Sequence, residues 1–340
     1  MTMRKAVKKA ATFRASSIGD ALMAKYLLEN IHIEYPEAQC SILVAGKAAM
    51  LRDLLAAYPW IEIVEANASR PKALLPAFKK LYPSDATVVQ YSGRGKFGTA
   101  SKFFARLVTR RGRLAGFTDA WPFNRFLFDK LLPFDSRRAL RLHECDALRA
   151  LGIEPPLSRI ALAAVPGNPV LEKLRLAPKA YLIANLFSGS PTRGLALPHQ
   201  ISIARALREK FGAEKKILLT GGPSDRALVE KICDAVPGLV AVPGLSMQET
   251  ITLVSESLGV VSLDTGVAHI AAQTGTPLVV LRTCWGYNWW TKDQYPNDSI
   301  RVLAHDEVCA AGHIKKDFPD CLGRTAPPEV VGALEQALRV

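Results

Sequence analysis

This sequence predicts an α/β protein built of two Rossmann-like, doubly wound domains facing each other across a cleft. Three observations lead there. The chain has 340 residues, more than one hydrophobic core usually serves, so two domains are expected. Short β-rich runs alternate with helical patterns, as in parallel sheets joined by crossover helices. That alternation occurs twice, on either side of a proline-rich, aperiodic stretch from Ile153 to Pro178 that reads as a linker.

The first series opens with a strand over 9–14, and a helix over 20–33 leaves from Gly19. The runs at 41–45, 61–64 and 87–91 are short and rich in β-branched residues, so each reads as a strand. After the linker, runs at 181–186, 216–220, 240–242, 258–263 and 277–281 supply a second set of strands. Pro327 and Pro328 open a final helix over 329–338, because a proline's missing N–H has no helical partner at a helix start in any case. The boundaries that follow are 1–165 for the first domain, 178–322 for the second and 323–340 for the final helix.

Composition excludes several classes. A hydrophobic fraction of 49% with 22% charged residues is that of a folded chain rather than a disordered one. No apolar run approaches the roughly 20 residues needed to cross a bilayer. Residues 1–14 carry basic side chains but no apolar stretch, which argues against a secretory signal. The six cysteines show no paired spacing and fit reduced thiols in a cytoplasmic protein. His305, Cys309, His313 and Cys321 match no standard zinc spacing, so a solvent-side loop is expected there and no metal site.

The net charge of +13 is uneven. From Arg94 to Arg141, twelve basic residues outnumber three acids, with Phe97, Phe103, Phe104, Phe117, Trp121, Phe123, Phe126 and Phe128 interleaved. Such a patch suits an anionic membrane surface, a phosphorylated glycolipid or nucleic acid, or else it is a solvated face over an aromatic core. No helix-turn-helix, zinc-finger or RNA-recognition signature accompanies it, so nucleic acid is not expected as a partner.

Four strand–turn–helix junctions carry chemistry. At Asp264-Thr265-Gly266, with His269 in the next turn, a strand end brings a carboxylate and a hydroxyl to a helix N-terminus, where N–H groups and the macrodipole favour anions. Those groups suit a ribose and a diphosphate; an Asp/Thr helix cap is the plain alternative. At Ser188-Gly189-Ser190-Pro191-Thr192-Arg193, small residues let amides approach phosphate and Arg193 can pair with it bidentately. At Thr220-Gly221-Gly222-Pro223-Ser224-Asp225 two glycines permit close approach, and Ser224 or Asp225 either caps the helix or meets a ribose hydroxyl. Asp20 follows Gly19 at the carboxyl edge of the first sheet, where doubly wound folds place ligands; it reads as a general base or as a helix N-cap. Trp285, Tyr287, Trp289, Trp290 and Tyr295 crowd one loop, to stack on a sugar or to pack the domain interface. The chain has no P-loop and no Gly-x-Ser-x-Gly elbow.

The pattern Asp264-Thr265-Gly266-x-x-His269-x-Ala271-Ala272-x-x-Gly275-x-Pro277 resembles the donor-binding signature of the ADP-heptose:lipopolysaccharide heptosyltransferases, glycosyltransferase family 9. Near the N-terminus, Arg14-x-Ser16-x-x-Gly19-Asp20, with Pro36-x-Ala38 beyond it, resembles the opening of the same family. The resemblance implies a GT-B fold whose C-terminal helix crosses back to the first domain. It also implies inverting transfer of heptose or a related sugar from an ADP-sugar to a lipopolysaccharide core-type acceptor, an anionic glycolipid, without metal or cofactor. Asp20 would be the base. Ser188, Ser190, Thr192, Arg193, Gly221, Asp225, Asp264, Thr265, Gly266 and His269 would hold the donor, with Leu245 against its adenine. A cytoplasmic enzyme in peripheral contact with the inner face of the membrane is the setting implied. Ala196-Leu197-Pro198 replaces the tryptophan–proline that many members carry. A nucleotide-sugar epimerase of the same fold and a non-catalytic sugar-nucleotide sensor or scaffold are the alternatives.

Overall fold

The computed structural model describes residues 6–13, 17–66, 71–90, 96–119, 123–155, 160–284, 289–309 and 317–340, with the backbone alone for 71–73 and 96–98. The chain divides into two units, Met1–Ile160 and Ala161–Val340.

The first unit runs β1 (Lys9–Phe13), α1 (Ile18–Glu34), β2 (Gln39–Val44), α2 (Ala48–Leu54), β3 (Ile61–Glu65), α3 (Pro71–Leu81), β4 (Ala86–Val89), α4 (Lys96–Val108), β5 (Leu114–Phe117), α5 (Asn124–Leu127), β6 (Lys130–Leu132) and α6 (Leu140–Ala150). The second runs α7 (Val170–Lys173), β7 (Tyr181–Asn185), α8 (Leu197–Phe211), β8 (Lys216–Gly221), α9 (Arg226–Ala235), β9 (Leu239–Pro243), α10 (Met247–Ser255), β10 (Gly259–Leu263), α11 (Gly266–Thr274), β11 (Leu278–Leu281), β12 (Ile300–Leu303), α12 (Asp320–Gly323) and α13 (Pro327–Leu338).

The strand orders are β3-β2-β1-β4-β5-β6 and β12-β11-β10-β7-β8-β9, and every neighbouring pair is parallel. Each unit is therefore a doubly wound sheet that reverses direction once, between β1 and β4 in the first and between β7 and β10 in the second. Parallel strands buried on both faces must be apolar throughout. Accordingly Val260, Val261, Leu263 and all of β11 are sealed from solvent.

β5 and β6 escape a reading by β-propensity. Leu-Ala-Gly-Phe contains no β-branched residue, and β6 is three residues long. Glycine is required at 116 because a Cβ there would lie 2.4 Å from the Phe128 ring, which crosses the strand. α1 is buried almost all round. Lys25 within it is sealed from solvent, its ammonium 2.9 Å from Glu29 and 4.5 Å from the centre of the Tyr58 ring. Burial lowers the Lys25 pKa and the Glu29 carboxylate opposes that shift.

From Ala161 on, the proline-rich stretch belongs to the second unit. Leu162 donates its N–H to Gln273 (2.9 Å) and Val165 donates to the Gln248 side chain (2.8 Å). α13 is anchored in the second unit, where Val330, Ala333 and Leu334 enter the core. Gly259 of β10 admits it, since a Cβ there would meet Leu338 at 3.0 Å.

Candidate functional site

In an open parallel sheet the loops after the carboxyl ends of the strands form the ligand edge, and the reversal point leaves a natural crevice. Every donor-site residue named above lies on that edge of the second sheet, after β7, β9 or β10 or at and beyond the end of β8. Ser262 pairs in register with Asn185, so Asp264 and Thr265 emerge beside the end of β7, at the reversal.

A row of buried polar groups crosses this edge. Asn185 donates to the Thr220 carbonyl (3.0 Å) and hydroxyl (3.2 Å), and the Thr265 hydroxyl donates to Asn185 Oδ1 (3.4 Å). Sequence reasoning gave Asn185 and Thr220 no role in the site. The available signal was a polar residue closing an otherwise apolar strand. The Thr265 hydroxyl turns toward Asn185 and does not cap α11. A nine-residue helix thus presents its first N–H groups and positive dipole end at the reversal point, with no carboxylate or hydroxyl on them among the described residues.

Asp264 and His269 do not point freely outward. Asp264 is only 9% exposed and its Oδ1 accepts the Trp290 indole N–H at 2.9 Å. The same oxygen is 3.6 Å from His269 Nε2, and His269 Nδ1 lies 3.0 Å from the Tyr295 hydroxyl. The imidazole stacks on Trp290, centroids 4.8 Å apart at 12°. Burial pushes the Tyr295 phenol well above its ordinary pKa, so it remains a hydroxyl. Trp290 and Tyr295 are core residues around His269. Trp285 and Tyr287, from the same loop, lie outside the described residues.

The remaining positions divide by role. Gly221 is set by packing, since a Cβ would lie 2.9 Å from that of Asp225 and 3.2 Å from Phe187. Asp225 spends one carboxylate oxygen on the Gly222 N–H at 2.8 Å, which closes the 3-10 turn Pro223–Asp225, and as the N-cap of α9 it makes no side-chain capping bond. Leu245 is half-buried between β9 and α10, after Gly244 with φ at +77°. In the loop after β7, the Ser190 N–H donates to Ser188 Oγ (3.3 Å) and the Ser190 and Thr192 hydroxyls are bonded at 2.9 Å. Arg193 ends a short 3-10 turn (Pro191–Arg193) and is exposed. Its guanidinium has no ion pair among the described residues.

In the first unit Asp20 lies at the matching edge, after β1. Ser17, not Asp20, is the N-cap: its Oγ accepts the Asp20 N–H at 3.2 Å and donates back to Asp20 Oδ2 at 2.5 Å. Asp20 is half-exposed. Arg14 to Ser16 of the motif lie outside the described residues. At the neighbouring strand end, buried Gln90 donates to buried Glu144.

The basic stretch is partly neutralised. Lys102, Arg106, Arg110 and Arg138 pair with Asp119, Asp129, Asp85 and Asp146. What stays open is mixed. Phe103, Leu107, Phe123 and Phe126 are exposed, Phe126 at 68%, and the Arg125 guanidinium lies 4.7 Å from the centre of the Phe126 ring. Arg94 and Trp121 lie outside the described residues. No helix among the described residues is long and apolar enough to cross a membrane.

Comparison with known proteins agrees with this fold. Residues 203–284 match the family model described as glycosyltransferase family 9 (heptosyltransferase), a stretch that includes the Asp264–Pro277 turn. The fold resembles the structure of Escherichia coli ADP-heptose lps heptosyltransferase II, at 18% identity and TM-score 0.71, over 97% of this chain and 98% of that one. It also resembles glycosyl transferase family 9 from Veillonella parvula, at 15% identity and TM-score 0.76, over 99% of both chains. Escherichia coli heptosyltransferase WaaC with ADP matches at 14% identity and TM-score 0.69, over 97% of this chain and 99% of that one. A search of curated proteins finds no match. The family resemblance is borne out over the stretch that holds the donor turn, the fold is GT-B, and the matches support a glycosyltransferase.

Proposed function

We propose that this chain, a glycosyltransferase of the GT-B fold with a family 9 domain in its second unit, moves heptose or a related sugar from an ADP-sugar onto a lipopolysaccharide core-type acceptor. The observation that carries the reading is the uncapped start of α11 at the β7/β10 reversal, inside the stretch that matches the family. An anionic diphosphate satisfies those N–H groups and the dipole together. Arg193 supplies positive charge to the leaving diphosphate from the β7 loop. Attack by an acceptor hydroxyl on the anomeric carbon needs a base, and Asp20 takes that proton. Direct displacement of the diphosphate inverts the anomeric centre, and on this reading the helix dipole and Arg193 do the work a divalent ion does elsewhere.

Arg193→Ala tests the phosphate assignment. ADP affinity is expected to fall by about tenfold or more, the worth of a hydrogen bond to a charged group, while adenosine affinity stays near that of the unaltered chain. Calorimetric titrations that show equal losses for both ligands would remove Arg193 from the diphosphate site. Product analysis with an ADP-heptose donor separates transfer, which needs the acceptor, from epimerisation, which does not.

The acceptor is an anionic glycolipid in this reading, and the open face of α4 and α5 meets the membrane that holds it. Exposed aromatic and aliphatic side chains beside Arg125 suit an interface of acyl chains and phosphates. Sedimentation with vesicles containing anionic lipid is expected to decline steadily from low to physiological salt, because screening weakens the attraction. Binding that ignores lipid charge would leave this face without a membrane role.

A further inference from the structure

Cys284, Cys309 and Cys321 are distant in sequence, yet their sulfurs all lie within 4.8 Å of one another. Cys284 follows the end of β11, Cys309 closes the turn Asp306–Cys309, and Cys321 sits on α12. Cys321 is sealed from solvent and the other two are half-buried. The transfer reaction proposed above uses none of them. A disulfide would engage two and strand the third. As thiols they are weak hydrogen-bond donors with little to gain from sharing one spot. A thiophilic cation engages all three.

We propose that Cys284, Cys309 and Cys321 bind, as thiolates, a divalent metal ion of the zinc or ferrous class. A tetrahedral ion about 2.3 Å from each sulfur sets the sulfurs about 3.8 Å apart, so small side-chain adjustments close the site. The fourth position is open to water. The same segments are already tied by an ion pair between buried Arg282 and exposed Asp306: Arg282 donates to Asp306 at 2.7 Å and to the Thr283 carbonyl at 2.8 Å. Its guanidinium also places a positive charge in the segment where three thiolates and one dication leave a net negative one.

The sequence reading overlooked this grouping. It set Cys309 and Cys321 with His305 and His313 and expected a solvent-side loop. In the structure Cys284 is the third partner, while His305 faces Glu307 (3.2 Å) and Glu329 (3.4 Å); His313 lies outside the described residues. The ion is structural. It joins the β11 loop to the segment that begins at Phe318, whose N–H donates to the Pro191 carbonyl at 3.0 Å. Metal binding thereby steadies the loop that carries Arg193.

The test is metal content of the full chain, purified without a polyhistidine tag, by mass spectrometry of the elements. One zinc or iron per chain is expected. Cys284→Ser and Cys309→Ser should each lower that content by about tenfold or more, since each removes one of only three protein ligands. Both positions are half-buried, so these variants avoid the core site at Cys321. Cobalt added to the stripped protein should give the near-ultraviolet thiolate-to-cobalt absorption, and either serine variant should weaken it. A metal-free chain that takes up no cobalt overturns the proposal. So does a disulfide between two of the three under reducing purification, found by peptide mapping.

Discussion

Asp20→Asn is expected to lower sugar transfer by about 10²–10⁴-fold, the usual worth of a positioned general base, and to leave donor affinity unchanged. Asparagine keeps the size of the side chain and can still accept the Ser17 hydroxyl through its amide oxygen, but it cannot take a proton. The fold should tolerate the change. Ser17 caps α1, so the substitution removes only a charge from the first helical turn, worth about 0.3–1 kcal/mol. Ser17→Ala is the control. It deletes the cap, at about 1 kcal/mol, and frees the carboxylate without neutralising it. Single-turnover rates on both variants, with melting temperatures alongside, decide the matter. If Ser17→Ala slows transfer as much as Asp20→Asn does, the carboxylate matters only through the helix start. If Asp20→Asn turns over at the ordinary rate, Asp20 is no base.

The doubly wound halves were legible because buried parallel strands read as short, largely apolar runs, and 181–186, 216–220 and 258–263 are such runs. β5 was not. Its strand conformation is imposed by β4 on one side and by the Phe128 ring over Gly116, a tertiary demand that local propensity does not carry. The start of α1 was read at Asp20 because an acid after glycine looks like a cap. Ser17 takes that role, and the capping oxygen and the N3 carboxylate bond each other. The donor turn was found for its Asp, Thr and His. Their partners were not, because Trp290 and Tyr295 come from a loop more than twenty residues on and meet His269 only once β11 lies beside β10. The cysteine cluster was hidden for the same reason. Cys284, Cys309 and Cys321 have no motif spacing, and three separate segments converge to assemble them.

Asp264→Ala is expected to reduce both stability and donor affinity, and the companion substitution Asp264→Asn separates the two effects. Alanine leaves the buried Trp290 indole N–H without its acceptor, a loss of about 1–3 kcal/mol of folding free energy. It also removes the carboxylate beside His269, so the aromatic cluster under the start of α11 loosens and the N–H groups there lose their fixed aim. Asparagine restores an oxygen for Trp290 while withholding the negative charge. If Asp264 also accepts a hydroxyl of the donor, Asp264→Asn should melt near the unaltered chain yet bind ADP-heptose about tenfold or more weaker, as expected for losing a hydrogen bond to a charged group. Titration calorimetry and thermal melts on the same samples provide both numbers. Ordinary donor affinity in Asp264→Asn would confine Asp264 to holding Trp290, and donor recognition at this turn would then fall to Thr265 and the amides of α11.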